Sequence, residues 1–273
     1  MEIVTAMMPL EYLKRSNRIN SSLKSPLRYP GGKARAVGAI ISFFPNDLTV
    51  LVSPFLGGGS IEIAAANYGI QVYGYDIFDP LVEFWQELLF DANRLADEVS
   101  KFYPHLSRSK FYELQNTQTF STRLERAAVF YILNRSSFSG ATLSGGMSPN
   151  HPRFTKSSID YLRNFRCPNL RVSKQDFHDT LVKHQNDFLY LDPPYLIQSA
   201  LYGKNGNMHK GFDHIGLLRL IRNRKRWILS YNDCQIIRGL YSRFQLITPT
   251  WKYGMSNDKN SHELLIFSKD ISV

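Results

Sequence analysis

The stretch LTVLVSPFLGGGS (residues 48–60) decides the fold class of this chain. Its first half is apolar and β-branched, which predicts a buried strand, and it runs directly into three consecutive glycines. Residues 61–67 then predict a short helix, and residues 71–75 predict a second strand that ends at Asp76. A strand–helix–strand unit is the building block of a parallel, doubly wound sheet. We therefore predict an α/β fold.

The bulk composition indicates a folded chain with a polyanionic partner. Of its 273 residues, 43% are hydrophobic and 21% are charged, which argues against intrinsic disorder. The formal net charge of +10 favours nucleic acid as the partner, although many basic proteins bind none. The length allows one large domain, or a core domain with a smaller insert.

Cysteine usage and hydropathy predict the location of the protein. Cys167 and Cys234 lie far apart and indicate reduced thiols in a cytoplasmic protein. Residues 1–20 contain no apolar core of the length that a signal peptide needs, and no later apolar span reaches about twenty residues. We therefore expect a protein that is neither secreted nor membrane-spanning.

The second decisive stretch is FLYLDPPY (residues 188–195), in which a predicted strand ends at Asp192. Ligands of open α/β sheets bind at the carboxyl ends of the strands. The Asp192 carboxylate and the Pro193 carbonyl are two neighbouring acceptors, which suit the two hydrogens of an NH2 group. Pro194 stiffens the turn and Tyr195 can stack on a flat ring that carries the amine. The alternative is a strand that simply ends in a proline turn.

Two further acids are predicted at strand ends. Asp76 follows the glycine turn by about twenty residues, a spacing typical of an acid that holds the ribose of a nucleoside cofactor. Because no Gly-Lys-Ser/Thr follows the turn, an adenosine cofactor without phosphates fits best, and S-adenosylmethionine is the obvious one. Asp176 and Phe177 follow another predicted strand and can hold the adenine. The alternatives are an exposed strand-end acid for Asp76 and a surface acid beside a core ring for Asp176.

The middle of the chain differs from both ends. Residues 81–99 and 124–133 have the apolar spacing of helices, whereas residues 134–160 are rich in Gly, Ser, Asn and Pro and predict a long loop. We predict that residues 80–160 form an inserted, mainly helical subdomain. The core then comprises residues 25–79 and 161–273, where 244–250 and 263–267 predict a final antiparallel pair. Residues 1–24 form an N-terminal extension.

The order of the motifs resembles one family. They are, in chain order, RYPGGK (28–33), PFLGGG (54–59), NRSSFSG (134–140), DPPY (192–195), LSYND (229–233) and ELLI (263–266). The chain resembles the Dam-like, alpha-group DNA adenine-N6 methyltransferases over most of residues 25–268. The resemblance implies a Rossmann-like class I methyltransferase sheet with an inserted DNA-recognition subdomain.

The resemblance also implies the site residues. Those expected to hold S-adenosylmethionine are Tyr29, Gly31, Gly32, Lys33, Pro54, Phe55, Gly57, Gly59, Asp76, Asp176, Phe177 and Asp192. Those expected to carry catalysis are Asp192, Pro193, Pro194 and Tyr195, without a metal. Those expected to contact DNA are Lys33, Asn134, Arg135, Ser139, Arg153 and Lys156. The arginines can read guanine in the major groove or merely touch phosphates, and both readings stay open.

One residue departs from the family pattern. The family often has an acid directly before the Pro-Phe of the glycine turn, where it would help near the amino-acid end of the cofactor, and this chain has Ser53. Either the affinity for the cofactor is lower, or another group substitutes.

The expected reaction is methylation of a flipped adenine in double-stranded DNA, with both N–H groups accepted by Asp192 and Pro193. Cytosine-N4 methylation uses the same geometry, but the family usually carries Ser in place of Asp192 for that chemistry. RNA or protein amide methylation, and a DNA-binding relative that has lost catalysis, are the other readings. A restriction partner, a phage or mobile element and an orphan regulator all fit, and we expect a monomer.

Overall fold

The computed structural model describes residues 23–117, 119–143, 145–148, 153–196, 211–249 and 263–271. Its centre is a seven-stranded sheet of order β3-β2-β1-β4-β5-β7-β6. The strands are β1 (Val50–Ser53), β2 (Gln71–Asp76), β3 (Leu170–Lys174), β4 (Phe188–Leu191), β5 (Trp227–Asn232), β6 (Gln245–Ile247) and β7 (Glu263–Phe267).

Strand direction confirms the predicted doubly wound α/β sheet. β1 pairs in parallel with both β2 and β4, so that Leu51 lies opposite Val72 on one side and Phe188 on the other. β7 runs antiparallel between β5 and β6, which confirms the predicted final pair. β4 is buried along its whole length because helices cover both faces of a parallel sheet. Chain order reverses between β1 and β4, where a crevice for a ligand is expected.

The described helices surround this sheet. They are α1 (Val37–Ile41), α2 (Ser60–Asn67), α3 (Asp79–Phe90), α4 (Ala92–Ser100), α5 (Arg108–Asn116), α6 (Arg123–Ser136), α7 (Lys156–Arg163), α8 (Phe177–Lys183), α9 (His214–Ile221) and α10 (Gln235–Leu240). No helix of the described residues is long and apolar enough to cross a membrane.

The single helix predicted over residues 81–99 is two helices, because Asp91 interrupts it. The backbone of Asp91 is extended, and its carboxylate accepts hydrogen bonds from the N–H groups of Asn93 and Arg94. An aspartate in this position ends one helix and caps the next.

The loop predicted over residues 134–160 is also partly wrong. Asn134 belongs to α6, a 3-10 turn follows over Phe138–Gly140, and α7 begins at Lys156. The start of α7 is fixed by a reciprocal capping box between Thr155 and Ser158. The glycine and serine residues of this segment therefore lie in short turns and at helix ends, and not in one long loop.

The helices of the predicted insert share their core with the sheet. On α3, Phe84 and Trp85 are fully buried, and the Phe84 ring stacks on Tyr131 of α6 at a centroid distance of 5.6 Å. Their apolar cluster includes Leu51 of β1, so this layer is continuous with one face of the sheet. Residues 1–22 lie outside the described residues, and the predicted domain boundaries stay predictions.

Candidate active site

A cavity of about 420 Å³ opens at the carboxyl ends of β1, β2 and β4. Three predicted motifs line it: the turn at residues 29–33, the glycine turn at residues 54–59, and residues 192–195. Asp76, Asp176 and Phe177 line the same cavity, so the structure brings together the side chains that the sequence predicts as cofactor-binding and catalytic.

The glycine turn allows close packing that side chains would block. Gly57 and Gly59 have φ angles of +49° and +67°, in the left-handed region that favours glycine. A Cβ at Gly58 would lie 2.7 Å from Cβ of Tyr29, and one at Gly59 would lie 3.1 Å from the Trp85 ring. The Trp85 indole N–H donates to the Gly57 carbonyl at 3.1 Å. The turn is thus fixed by Tyr29 on one side and by α3 on the other.

Asp76 lines the cavity next to this turn. Its carboxylate accepts hydrogen bonds from the N–H groups of Gly57 at 3.1 Å and Phe78 at 3.0 Å. Burial raises the pKa of Asp76, and these backbone donors oppose the rise. The carboxylate is therefore held rigidly at the place where a ribose is expected.

One end of the cavity is aromatic. The rings of Phe55, Phe177 and Phe212 lie within 5.2–5.6 Å of one another by their centroids. Asp176 caps α8 beside them, and its carboxylate accepts from the His178 N–H at 2.8 Å. These rings form an aromatic wall against which a planar ring can stack, the contact predicted for an adenine.

The other end of the cavity is a buried ionic cluster. The Lys33 ammonium donates to both Asp192 carboxylate oxygens, at 2.8 and 2.9 Å, and to the Tyr195 hydroxyl at 2.7 Å. Burial raises the pKa of Asp192 to about 6, with repulsion from Glu263 in the same direction and attraction to Lys33 opposing it. The residue predicted to accept a substrate amine thus lies beside a resident cation.

Glu263 is a site residue that sequence reasoning missed. It is almost fully buried at the start of β7, where its carboxylate lies 3.0 Å from Lys33 and accepts a hydrogen bond from the Tyr195 hydroxyl. An acid at the head of the apolar run ELLIF was the available signal, since a buried acid needs a partner.

Glu62 is a second missed residue. It lies in the first turn of α2, lines the cavity, and its Oε1 accepts a hydrogen bond from the Ser53 hydroxyl at 2.6 Å. Its pKa is raised to about 7, mainly by burial and in the same direction by Asp192, while the hydrogen bond from Ser53 opposes the rise.

Asn134 is not placed as a DNA contact. It is completely buried, and its side chain joins the backbone of Arg28 by two hydrogen bonds of 2.8 Å, one accepted from the N–H and one donated to the carbonyl. It also donates to Thr142 Oγ1 at 3.2 Å. The prediction for Asn134 is corrected, because its polar atoms already hold the turn before Tyr29.

Of the other predicted DNA contacts, Lys33 lies in the ionic cluster described above, and Arg135 and Arg153 lie close to Arg28. Arg135 donates to the carbonyl of Arg153 at 3.0 Å, and both lower the pKa of Arg28 by repulsion, after the larger effect of burial. Arg153 and Lys156 are exposed, and Ser139 lies in the 3-10 turn. Their contacts with DNA stay predictions.

Among the described residues, no group of three His, Cys, Asp or Glu side chains is arranged to hold a metal ion. The cavity offers the rigid acid Asp76, an aromatic end for a planar base, and the Asp192 carboxylate with a hydroxyl and an ammonium beside it. Such a set can orient an adenosine derivative at one end and polar N–H groups at the other.

A sheet of this order with an antiparallel β7, together with a glycine turn that lines the same cavity as Asp192, defines a Rossmann-like class I methyltransferase. The family model of the D12 class N6 adenine-specific DNA methyltransferases matches residues 29–255. The chain belongs to this family.

Relatives are similar at low identity. The chain is 23% identical to the type II methyltransferase M.FokI of Planomicrobium okeanokoites over 224 residues, 75% of this chain and 34% of that protein. It is 23% identical to M1.LlaDCHI of Lactococcus lactis subsp. cremoris over 226 residues, 76% of this chain and 78% of that protein. A DNA N-6-adenine-methyltransferase of Escherichia phage P1 is 28% identical over 123 residues, 44% of this chain and 16% of that protein. The chain thus spans about a third of the length of M.FokI.

Proposed function

We propose that this protein transfers a methyl group from S-adenosylmethionine to the exocyclic N6 amine of an adenine flipped out of double-stranded DNA. One observation carries the proposal: Asp192 lines the same cavity as the glycine turn and Asp76. The acceptor for the amine and the predicted cofactor residues therefore share one cavity. Membership of an adenine-N6 family supports adenine over cytosine.

The residues of the cavity fit the cofactor. Phe55 and Phe177 would cover the adenine, and Asp76 would accept hydrogen bonds from the ribose hydroxyls. When bound, S-adenosylmethionine supplies a methyl group on a positively charged sulfur, which is already a strong electrophile. The acidic end of the cavity suits that positive charge.

The protein's own work is orientation of the amine. The lone pair of an aromatic amine is delocalised into the ring, which makes it a poor nucleophile. If Asp192 and the Pro193 carbonyl accept its two hydrogens, the nitrogen becomes pyramidal and its lone pair points towards the methyl donor. Tyr195 would stack on the flipped base, as in other enzymes that act on an extruded nucleotide. Each Asp192 oxygen accepts one hydrogen bond from Lys33 and has a second lone pair that the amine can use.

The test is incorporation of tritiated methyl groups into duplex DNA by the wild type and by Asp192→Ala. The proposal requires incorporation by the wild type and its loss in the variant. Single-molecule sequencing of DNA from cells that express the protein would then identify the base and the target motif. Methylated cytosine would overturn the choice of adenine.

We further propose that the protein acts as a monomer in the cytoplasm of a prokaryotic cell, where it binds its DNA substrate. Its net charge of +10 supports the DNA partner. Sedimentation velocity with and without duplex DNA tests the monomer, and a stable dimer at micromolar concentration would contradict it.

A further inference from the structure

Glu62 is a buried acid in the first turn of α2. It lies two residues after the start of α2, is 2% exposed, and lines the cavity rather than solvent. Among the described residues, no lysine or arginine forms an ion pair with it. A buried carboxylate that keeps its charge needs a cationic or hydrogen-bonding partner. Ser53 and the Glu62 backbone N–H supply hydrogen bonds, so the partner still to be supplied is a cation, and the cavity is the direction from which it can come.

The hydrogen bond from Ser53 favours the charged form of Glu62, which is the form that binds a cation. Ser53 is the last residue of β1, is completely buried, and donates its hydroxyl hydrogen to Glu62 at 2.6 Å. A hydrogen bond of this kind favours the charged carboxylate. An acid at position 53 would stand against Glu62, and two carboxylates in contact cannot both ionise. Serine at position 53 and glutamate at position 62 are therefore compatible as a pair.

The charges at this end of the cavity indicate which group would bind to Glu62. Lys33 is held by Asp192 and Glu263, so its charge is already matched by two carboxylates. Glu62 adds a further negative charge, and it interacts electrostatically with both Asp192 and Lys33. Asp76 and the three phenylalanine rings lie elsewhere along the cavity wall, where the ribose and the adenine are proposed. The part of the cofactor left for Glu62 is its amino-acid end, which carries an ammonium group.

We infer that Glu62 binds the ammonium group of the cofactor's amino-acid moiety, with Ser53 orienting the carboxylate. Glu62 thereby takes the part that the resemblance assigns to an acid at position 53. The inference rests on the proposed function, because it names a contact to the cofactor of that reaction.

Two ligands distinguish the contribution of this contact to affinity from the contribution of the rest of the pocket. S-adenosylhomocysteine carries the ammonium group, whereas 5′-methylthioadenosine has the same adenosine and thioether without the amino-acid end. In Glu62→Gln, calorimetry should show a loss of S-adenosylhomocysteine affinity of about 10- to 100-fold, the range for a hydrogen bond to a charged group. The affinity for 5′-methylthioadenosine should stay at the wild-type value.

Glu87→Gln is the matched control. Glu87 is an equally buried helix acid, but it pairs with Arg123 at 2.5 Å outside the cavity. Its substitution should leave both affinities unchanged. Wild-type affinity of Glu62→Gln for S-adenosylhomocysteine would overturn the inference, and so would an equal loss for both ligands. Failure of the wild-type protein to bind either ligand would instead overturn the proposed function.

Ser53→Ala provides a second test of the inference if Glu62→Gln does not fold. It leaves the carboxylate in place without its hydrogen bond, so S-adenosylhomocysteine should bind more weakly at pH 7 and regain affinity at higher pH, where Glu62 ionises without help. Unchanged affinity at pH 7, or a loss that persists at high pH, would contradict the assigned orientation.

Discussion

The buried Lys33 and the partly exposed Asp192 form an ion pair in which the ammonium nitrogen lies 2.8 Å from one carboxylate oxygen and 2.9 Å from the other. Both oxygens of the proposed amine acceptor are thus occupied by a cation of the protein itself. A target amine must share this carboxylate with Lys33, since each oxygen can accept a second hydrogen bond. The pair therefore links substrate entry to the position of Lys33.

Asp192→Ala should lower the rate of methyl transfer by about 100-fold or more, because it removes an acceptor on which orientation of the amine depends. The buried Lys33 keeps Glu263 as a partner, so the variant should fold. Fluorescence anisotropy should show unchanged affinity for duplex DNA. Methyl incorporation near the wild-type rate would refute the role of Asp192.

Lys33→Met should change the pH dependence of the reaction. Lys33 lowers the pKa of Asp192, which stands at about 6, so its removal raises that pKa. Asp192 then becomes protonated, and loses its capacity as an anionic acceptor, at a higher pH than in the wild type. The acid limb of the single-turnover rate should move to higher pH. Lys174→Met removes an exposed lysine paired with Asp79 and serves as the control; an unmoved acid limb in Lys33→Met would contradict the expectation.

Cofactor affinity should itself depend on pH through Glu62. Its pKa of about 7, raised by burial, leaves it partly protonated near neutrality, with Asp192 and Lys33 as its charged neighbours. An ammonium ligand favours the charged form, so binding should release a proton and strengthen from pH 6 to pH 8. Calorimetry in buffers of different ionisation enthalpy measures this proton. Glu62→Gln should release less, and equal release in both proteins would count against the assignment.

Arg153→Ala tests how the basic cluster meets DNA. If Arg153 contacts a phosphate, the variant should bind all sequences more weakly, and the slope of log affinity against log salt should fall by about one. If it reads a guanine, specificity at one base pair should relax instead. Arg171→Ala is the control, since Arg171 is exposed near the start of β3, away from the carboxyl-end cavity. An unchanged slope and specificity would remove Arg153 from the interface.

Gly140→Ala should destabilise the fold more than Gly69→Ala. Both glycines have positive φ, at +74° and +87°, so both substitutions carry a backbone penalty of about 1–2 kcal/mol. A Cβ at Gly140 would lie 2.2 Å from the Arg28 carbonyl oxygen, whereas one at Gly69 meets nothing within 4 Å. Urea unfolding should show the larger loss for Gly140→Ala. Equal losses would mean that the turn at Arg28 moves away freely.

The strand-end acids could be predicted from sequence because each follows an apolar run directly. Asp76 and Asp192 need only the local pattern and the rule that strand ends meet at one edge of the sheet. For Glu263 the acid at the head of ELLIF is a local signal, but neither it nor Glu62 reveals its partner locally, since Lys33 and Ser53 come from other elements of the fold. Their burial is decided by packing, which a local pattern does not contain.

Asn134 shows the same difference. Its place in a polar, glycine-rich motif suggested a contact with DNA, but its partner is the Arg28 backbone, 106 residues earlier in the chain. Asp91 is the opposite case. Its capping role is local, and only the continuous apolar spacing on both sides concealed it.

The hydrogen bonds from Trp85 to Gly57 and from Asn134 to Arg28 bear on how target specificity could be transplanted between relatives. A chimaera that exchanged residues 80–160 as one block would replace both side chains, and with them the supports of the glycine turn and of the turn before Tyr29. An exchange confined to residues 137–155 would keep both supports. The exchange points of a workable hybrid enzyme thus lie inside residues 80–160, the segment that the sequence predicts to be a single insert.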